Sequence, residues 1–238
     1  MLRLADDDEP LNDTIMHKAM KHIQCVAHNQ NEFILLDSYQ VCRITSKEKL
    51  QRIIRKANPG CVLAEVTKVY VGVFVPGPNP HDIGHWFLLC VVLGAFAPGA
   101  GIACKGFVLD SLPAETRPEV DAVHETLQLV MEILQQPDES LWKGIVLPAF
   151  PEFDVLPVPT QDDAISCGLH LLQNINHTVL GGLFDDLSTD AIRAKCTSRD
   201  IVPPFLMRAL HALISNYGKL QFHNEWLLQY YLRPQALS

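Results

Sequence analysis

Between residues 66 and 112 the chain holds three strand-like runs in close succession, and this block limits the fold more than any other feature. VTKVYVGVFV (66–75) is rich in β-branched residues, HWFLLCVVL (85–93) is apolar, and CKGFVLDSL (104–112) reads as a third strand. The loop PGPNPHDIG and a Gly/Ala/Pro-rich stretch separate them. Ahead of the block, Ile15, Ala19, Met20 and Ile23 recur at helical spacing within 11–24, with Asn12 or Asp13 able to cap. FILL (33–36) looks like a short strand, and Ser46 precedes the helical KEKLQRIIRKA, which Pro59-Gly60 stops. Beyond the block the pattern predicts a long helix over 115–135. One or two short strands follow over 144–158, broken by Pro148, Pro151 and Pro157. A helix is predicted from Ser166 to a Gly181-Gly182 terminator, and further helices near 188–195, 202–216 and 224–232. Helices, then adjacent strands, then helices, predict an α+β fold with a small, mostly antiparallel central sheet flanked by helices.

With 238 residues, 48% of them hydrophobic and 19% charged, the chain can bury a substantial core. The net charge of −8 argues against nucleic acid as a partner, because phosphate contacts need clustered Lys and Arg. The seven cysteines (25, 42, 61, 90, 104, 167, 196) are odd in number and include no C-x-x-C pair. That usage predicts a reducing compartment rather than a disulfide framework, and it lacks zinc-ligand spacing. The sequons at Asn12 and Asn176 therefore read as chance matches. Trp86 to Ala103 carries no charge over a membrane-spanning length, but Gly94, Pro98, Gly99 and Gly101 turn its second half into a loop. No membrane span is expected.

Three polar residues stand where elements begin or end. His85 opens an apolar strand, Asp110 closes the next, and Cys167 opens a helix. A free thiol titrates near ~8.5 and attacks as thiolate, so it needs activation, which a helix N-terminus and a neighbouring base supply. Cys167 thus reads as nucleophile, with Gly168 leaving room for a substrate backbone beside the sulfur; Asp162 and Asp163 work against thiolate formation. His85 reads as base, and Asp110 as the carboxylate that holds its tautomer and stabilises the imidazolium. Gln161, six positions before Cys167, can donate its side-chain amide to an oxyanion together with the Cys167 backbone N–H. Taken singly, each has an ordinary alternative: a buried apolar Cys, a surface His, a strand-ending turn at Asp110, a solvated Gln. The other six cysteines are assigned to that ordinary class.

Four segments in order, PLNDTIM, FVPGPNPHDIGHW, FVLDSL and VPTQDDAISCGLHLL, together resemble the SUMO/sentrin-specific (ubiquitin-like-protein-specific) cysteine protease family. The order His-Trp, Asp-Ser, Gln-x5-Cys-Gly is that family's signature, and the likeness runs over roughly residues 5 to 230. It implies a papain-like cysteine peptidase of the ubiquitin-like-protein protease type, as a single catalytic domain over 1–238. The chain begins almost at the first motif, as a domain excised from a longer protein would. The resemblance also implies that Trp86 packs along a narrow channel for a Gly-Gly tail, and that Asp13 touches the modifier; Asp13 is equally suited to a first-turn helix charge. Three features depart from the family pattern. Pro10 stands where Trp is usual, Ser166 (able to cap the helix) stands where Asp is usual, and the stretch between His85 and Asp110 is longer, through GAFAPGAGIAC.

The expected reaction is hydrolysis after the C-terminal Gly-Gly of a ubiquitin-like modifier, SUMO first, with ubiquitin and NEDD8 as alternatives. It calls for neither a metal nor a cofactor. Expected partners are the modifier and its conjugates, with no nucleic acid and no membrane, and the chain is expected to be a monomer. The expected compartment is the nucleus or cytoplasm, or a host cell for a bacterial effector. Two rival readings keep the fold: an acyl- or acetyltransferase with the same triad order, and a catalytically silent modifier-binding module.

Overall fold

The uncharged run after residue 84 becomes the middle strand of a five-stranded sheet. The computed structural model describes residues 13–27, 31–37, 46–57, 62–75, 84–97, 99–112, 120–138, 140–149, 152–161 and 166–197. The strands are β1 (Phe33–Leu36), β2 (Lys68–Val75), β3 (His85–Gly94), β4 (Ala103–Leu109) and β5 (Asp154–Leu156), hydrogen-bonded in that order. β3 runs antiparallel to both neighbours, with Val75 opposite His85 and Leu88 opposite Leu109. The two edge pairs are parallel: Phe33 faces Lys68, and Leu109 faces Leu156. The sheet is therefore mixed, with an antiparallel centre and one short parallel strand on each side.

β3 shows no polar alternation because helices cover both faces. Its even residues Trp86, Leu88, Cys90 and Val92 enter one core. There they join Met16, Met20 and Ile23 of α1 (Asp13–Val26), Leu171 and Ile175 of α4 (Cys167–Val179), and Ile192 of α5 (Thr189–Thr197). Its odd residues Phe87, Leu89, Val91 and Leu93 enter a second core with Leu50 and Ile54 of α2 (Lys47–Ala57) and Leu127 and Val130 of α3 (Val120–Leu134). Each such side chain contributes about 1.5–3 kcal/mol on burial, so this strand anchors the fold from both sides.

The helix ends follow from local chemistry. Ser46 Oγ accepts from the Lys49 N–H at 3.3 Å and starts α2. α4 stops where the Leu180 and Gly181 N–H groups both donate to the Asn176 carbonyl and Gly182 takes φ +61°, a conformation that suits glycine. α1 lies two residues later than the apolar spacing predicts, and α3 is described from Val120. The predicted helices near 202–216 and 224–232, the 76–83 part of the PGPNPHDIG loop, and Asp162-Asp163 lie outside the described residues. The stretch from Trp86 is β3 followed by a loop; among the described residues no helix is long and apolar enough to cross a membrane.

Candidate active site

β3 and β4 are antiparallel, so the start of β3 lies beside the end of β4. This register brings His85 and Asp110 together: His85 Nε2 is 2.6 Å from Asp110 Oδ1. The carboxylate side chain is 1% exposed and the imidazole 19%. The Leu112 N–H also donates to Asp110 Oδ1, at 2.8 Å. Asp110 is thus both the strand-ending turn and the partner of the histidine, and one oxygen serves both. With Nε2 donating to Asp110, the lone pair of Nδ1 becomes the basic site of the ring.

Cys167 is the first residue of α4. Its Sγ lies 3.9 Å from the carbonyl oxygen of Gly84, the residue just before His85, and the thiol donates to it. The helix is held at this position by its buried face. Leu171 packs beside Gly72 of β2, and Asn174 Nδ2 donates at 3.3 Å to the carbonyl of Leu109, one residue before Asp110. The first residue of a helix has no intrahelical acceptor for its N–H, which leaves the Cys167 N–H suited to an incoming oxyanion. Ser166 holds the cap position but makes no capping bond through its side chain. Its backbone is already helical (φ −83°, ψ 0°), and its carbonyl accepts from Leu169 and His170. Cys167 is fully buried at 0% exposure, rather than at the mouth of an open groove, and His85 is the more open member of the pair.

Gln161 docks on the residue after Asp110. Its N–H donates to the Ser111 carbonyl at 3.1 Å, and Ser111 Oγ donates to its Oε1 at 2.6 Å. A continuous path of contacts and peptide bonds therefore runs from Gln161 through Ser111, Asp110, His85 and Gly84 to Cys167. Gly168 is buried as the second residue of α4. Trp86 is 2% exposed and packs on Phe74, directly across from it in the register, with ring centroids 4.8 Å apart. Its Nε1 is buried without a hydrogen-bond partner among the described residues. Asp13 is the first residue of α1, and its side chain, with residues 10–12 of the PLNDTIM segment, lies outside the described residues. Sequence reasoning missed Ser111 and Phe74. Ser111 had a usable signal, a small polar residue beside the carboxylate in FVLDSL; Phe74 had none before the register was known.

Two of the other described thiols are poorly suited to attack. Burial, reinforced by Cys196 nearby, pushes the Cys90 thiol well above its ordinary value, and burial pushes Cys104 up to about 12. Both stay protonated near neutral pH and are poor nucleophiles.

Gly84 is needed where it stands. A Cβ there would sit 2.2 Å from Phe74 Cζ and 2.7 Å from the Val75 carbonyl oxygen, which is main chain and cannot swing aside. Gly84→Ala is expected to lower stability by about 1–3 kcal/mol and to displace His85, the next residue. Thermal unfolding together with turnover checks this; a variant with wild-type values of both would show that the close approach is not needed.

Comparison with known proteins identifies the family. The sequence model of the Ulp1 protease family, C-terminal catalytic domain, matches residues 9–202. No curated protein sequence matches the chain. One similar solved structure is the SUMO protease Ulp1 with its catalytic cysteine oxidised to a sulfenic acid. It has a TM-score of 0.54 and 18% identity, over 90% of this chain and 81% of that one. Another is the C-terminal Ulp1 protease domain in complex with Smt3, the yeast ortholog of SUMO, with a TM-score of 0.52 and 17% identity, over 90% and 80%. The resemblance read from the four motifs and the α+β architecture therefore lead to one conclusion: the chain belongs to the Ulp1 protease family, through its C-terminal catalytic domain, and is a cysteine protease.

Proposed function

We propose that this chain cleaves peptide and isopeptide bonds after the C-terminal Gly-Gly of a ubiquitin-like modifier, SUMO first among the candidates, through a Cys167–His85–Asp110 triad. The observation that carries the reading is the 2.6 Å bond between His85 and Asp110 at adjacent strand ends, with Cys167 Sγ 3.9 Å from the carbonyl preceding His85. The Smt3 complex of a similar fold supports SUMO as the first modifier to test.

In this mechanism His85 Nδ1 takes the proton from Cys167 Sγ, and the thiolate adds to the glycyl carbonyl carbon. The Cys167 N–H and the Gln161 side-chain amide stabilise the resulting oxyanion. As the tetrahedral species collapses, the C–N bond breaks and His85 gives its proton to the departing amine, leaving a thioester. Water then adds with His85 as base, the C–S bond breaks, and the thiol is restored with a carboxylate on the modifier. Asp110 holds His85 in the Nε2–H tautomer throughout and stabilises its charged form. Trp86 supplies the aromatic wall of the tail channel, and its indole N–H, without a partner among the described residues, is a donor that a tail carbonyl can satisfy. Such a channel, with Gly168 beside the sulfur, selects glycine by excluding side chains. Asp13, on the first turn of α1, is the candidate contact to the body of the modifier. The same reading places the work in the nucleus or cytoplasm, where thiols stay reduced.

The test is a panel of C-terminal aminocoumarin conjugates of SUMO, ubiquitin and NEDD8 offered to the purified chain. Turnover of at least one, with SUMO fastest, is expected. Failure on all three, or equal hydrolysis of a conjugate ending in Ala-Ala, would contradict the proposal.

A further inference from the structure

Asp110 and Ser111 are consecutive, and the structure uses each to fix a different side chain. Asp110 fixes the imidazole of His85. Ser111, 1% exposed, fixes the carboxamide of Gln161, itself buried. We propose that Ser111 is a positioning residue: its hydroxyl holds the Gln161 amide oxygen and so presents the amide nitrogen, rather than the oxygen, to the oxyanion. This rests on the role given above to Gln161.

The need for such a device follows from the amide itself. The terminal torsion of Gln is broad and nearly two-fold, so its oxygen and nitrogen can exchange places at little steric cost. For a developing oxyanion the two orientations are opposite in sign. The nitrogen end donates and stabilises, whereas the oxygen end places one partial negative charge against another. A bond that holds Oε1 removes the wrong orientation.

Ser111 is arranged to do this. The main-chain bond from the Gln161 N–H to the Ser111 carbonyl, at 3.1 Å, already ties the two loops together. The second bond, from Ser111 Oγ to Oε1 at 2.6 Å, is not required for that tie; what it adds is rotational control of the amide. The donor is a short side chain on a buried turn that the Leu112 N–H bond to Asp110 also braces, so it has little room to follow a rotating amide. Base and oxyanion donor are thereby referenced to the same two residues at the end of β4.

The experiment compares wild type, Ser111→Ala, Gln161→Ala and the double variant on the modifier conjugate that the wild type cleaves. Alongside it, the side-chain amide signals of Gln161 are followed by NMR in uniformly 15N-labelled protein without substrate. Ser111→Ala is expected to lower kcat about ten-fold or more, bounded by the about 10²–10³-fold loss on deleting an oxyanion donor, with KM within about two-fold. Alkylation of Cys167 by iodoacetamide, which passes through no oxyanion, should keep its wild-type rate. In the Gln161→Ala background the same change should cost less than about two-fold, because the two residues act as one unit. The Gln161 amide signals should move and sharpen toward those of a freely rotating carboxamide. Ser111→Thr, which keeps the hydroxyl, should retain kcat and serves in place of a poorly folded Ala variant. A Ser111→Ala enzyme with wild-type kcat, an equal loss in the Gln161→Ala background, or unchanged amide signals overturns the inference. If the wild type cleaves no modifier conjugate, the proposed substrate falls, and the NMR comparison still decides whether Ser111 holds the amide.

Discussion

Cys167→Ala should reduce turnover of the best modifier conjugate to background, a loss of about 10⁴-fold or more, without unfolding the chain. The change removes one buried sulfur atom from the core around the start of α4, together with its long hydrogen bond to the Gly84 carbonyl at 3.9 Å, so the cost in stability is modest. His85→Ala should cost nearly as much, because thiol and imidazole act together and neither retains the function without the other. The double variant should then be no slower than the worse single one. Steady-state kinetics on the four proteins checks this. Residual activity within ten-fold of wild type in Cys167→Ala would assign the reaction to another group.

The second large effect is at Asp110, where two substitutions should separate. Asp110→Ala removes the acceptor for both His85 Nε2 and the Leu112 N–H, which frees the ring to take the wrong tautomer and loosens the turn that carries Ser111. A kcat loss of about 10²–10⁴-fold follows. Asp110→Asn should be milder. The Leu112 N–H, donating at 2.8 Å, selects the oxygen end of an introduced amide for the position of Oδ1, so His85 Nε2 still finds an acceptor and the tautomer is kept. What is lost is the charge assistance. A hydrogen bond to a charged group is about twice as strong as a neutral one, a difference near 1–1.5 kcal/mol, which corresponds to about ten-fold in rate. Equal losses in the two variants would show that the negative charge, rather than ring orientation, dominates at this site. Rates should be measured with stability recorded in parallel, since the Asp110 side chain is buried.

These expectations depend on features of differing visibility in the sequence. The three central strands were legible because each is a run of β-branched or apolar residues with loop residues at its ends. His85 and Asp110 were legible because a polar residue terminating such a run is conspicuous. The two parallel edges were not. β5 is three residues between prolines, and β1 is four, so their direction is set by pairing with Phe107–Leu109 and Lys68–Val71 far away in the chain. The Ser111–Gln161 bond joins residues fifty apart and appears only once β4 and the loop before α4 are placed side by side. Likewise, Phe74 supports Trp86 only through the β2–β3 register, which period-two patterning cannot fix when both faces of a strand are buried. The burial of Cys167 was also beyond the sequence. A helix start suggests display at a surface, and only the packing of α4 against β3 and α1 shows the first turn drawn inward.

The role of Cys167 is tested most directly by finding which atom captures a modifier carrying an electrophile in place of its terminal glycyl carboxylate. SUMO vinyl sulfone, incubated with the native chain and mapped by peptide mass spectrometry, should leave a single thioether on Cys167, with His85→Ala labelling far more slowly. An adduct on Cys25, Cys90, Cys104 or Cys196 that persists in Cys167→Ala would contradict the account.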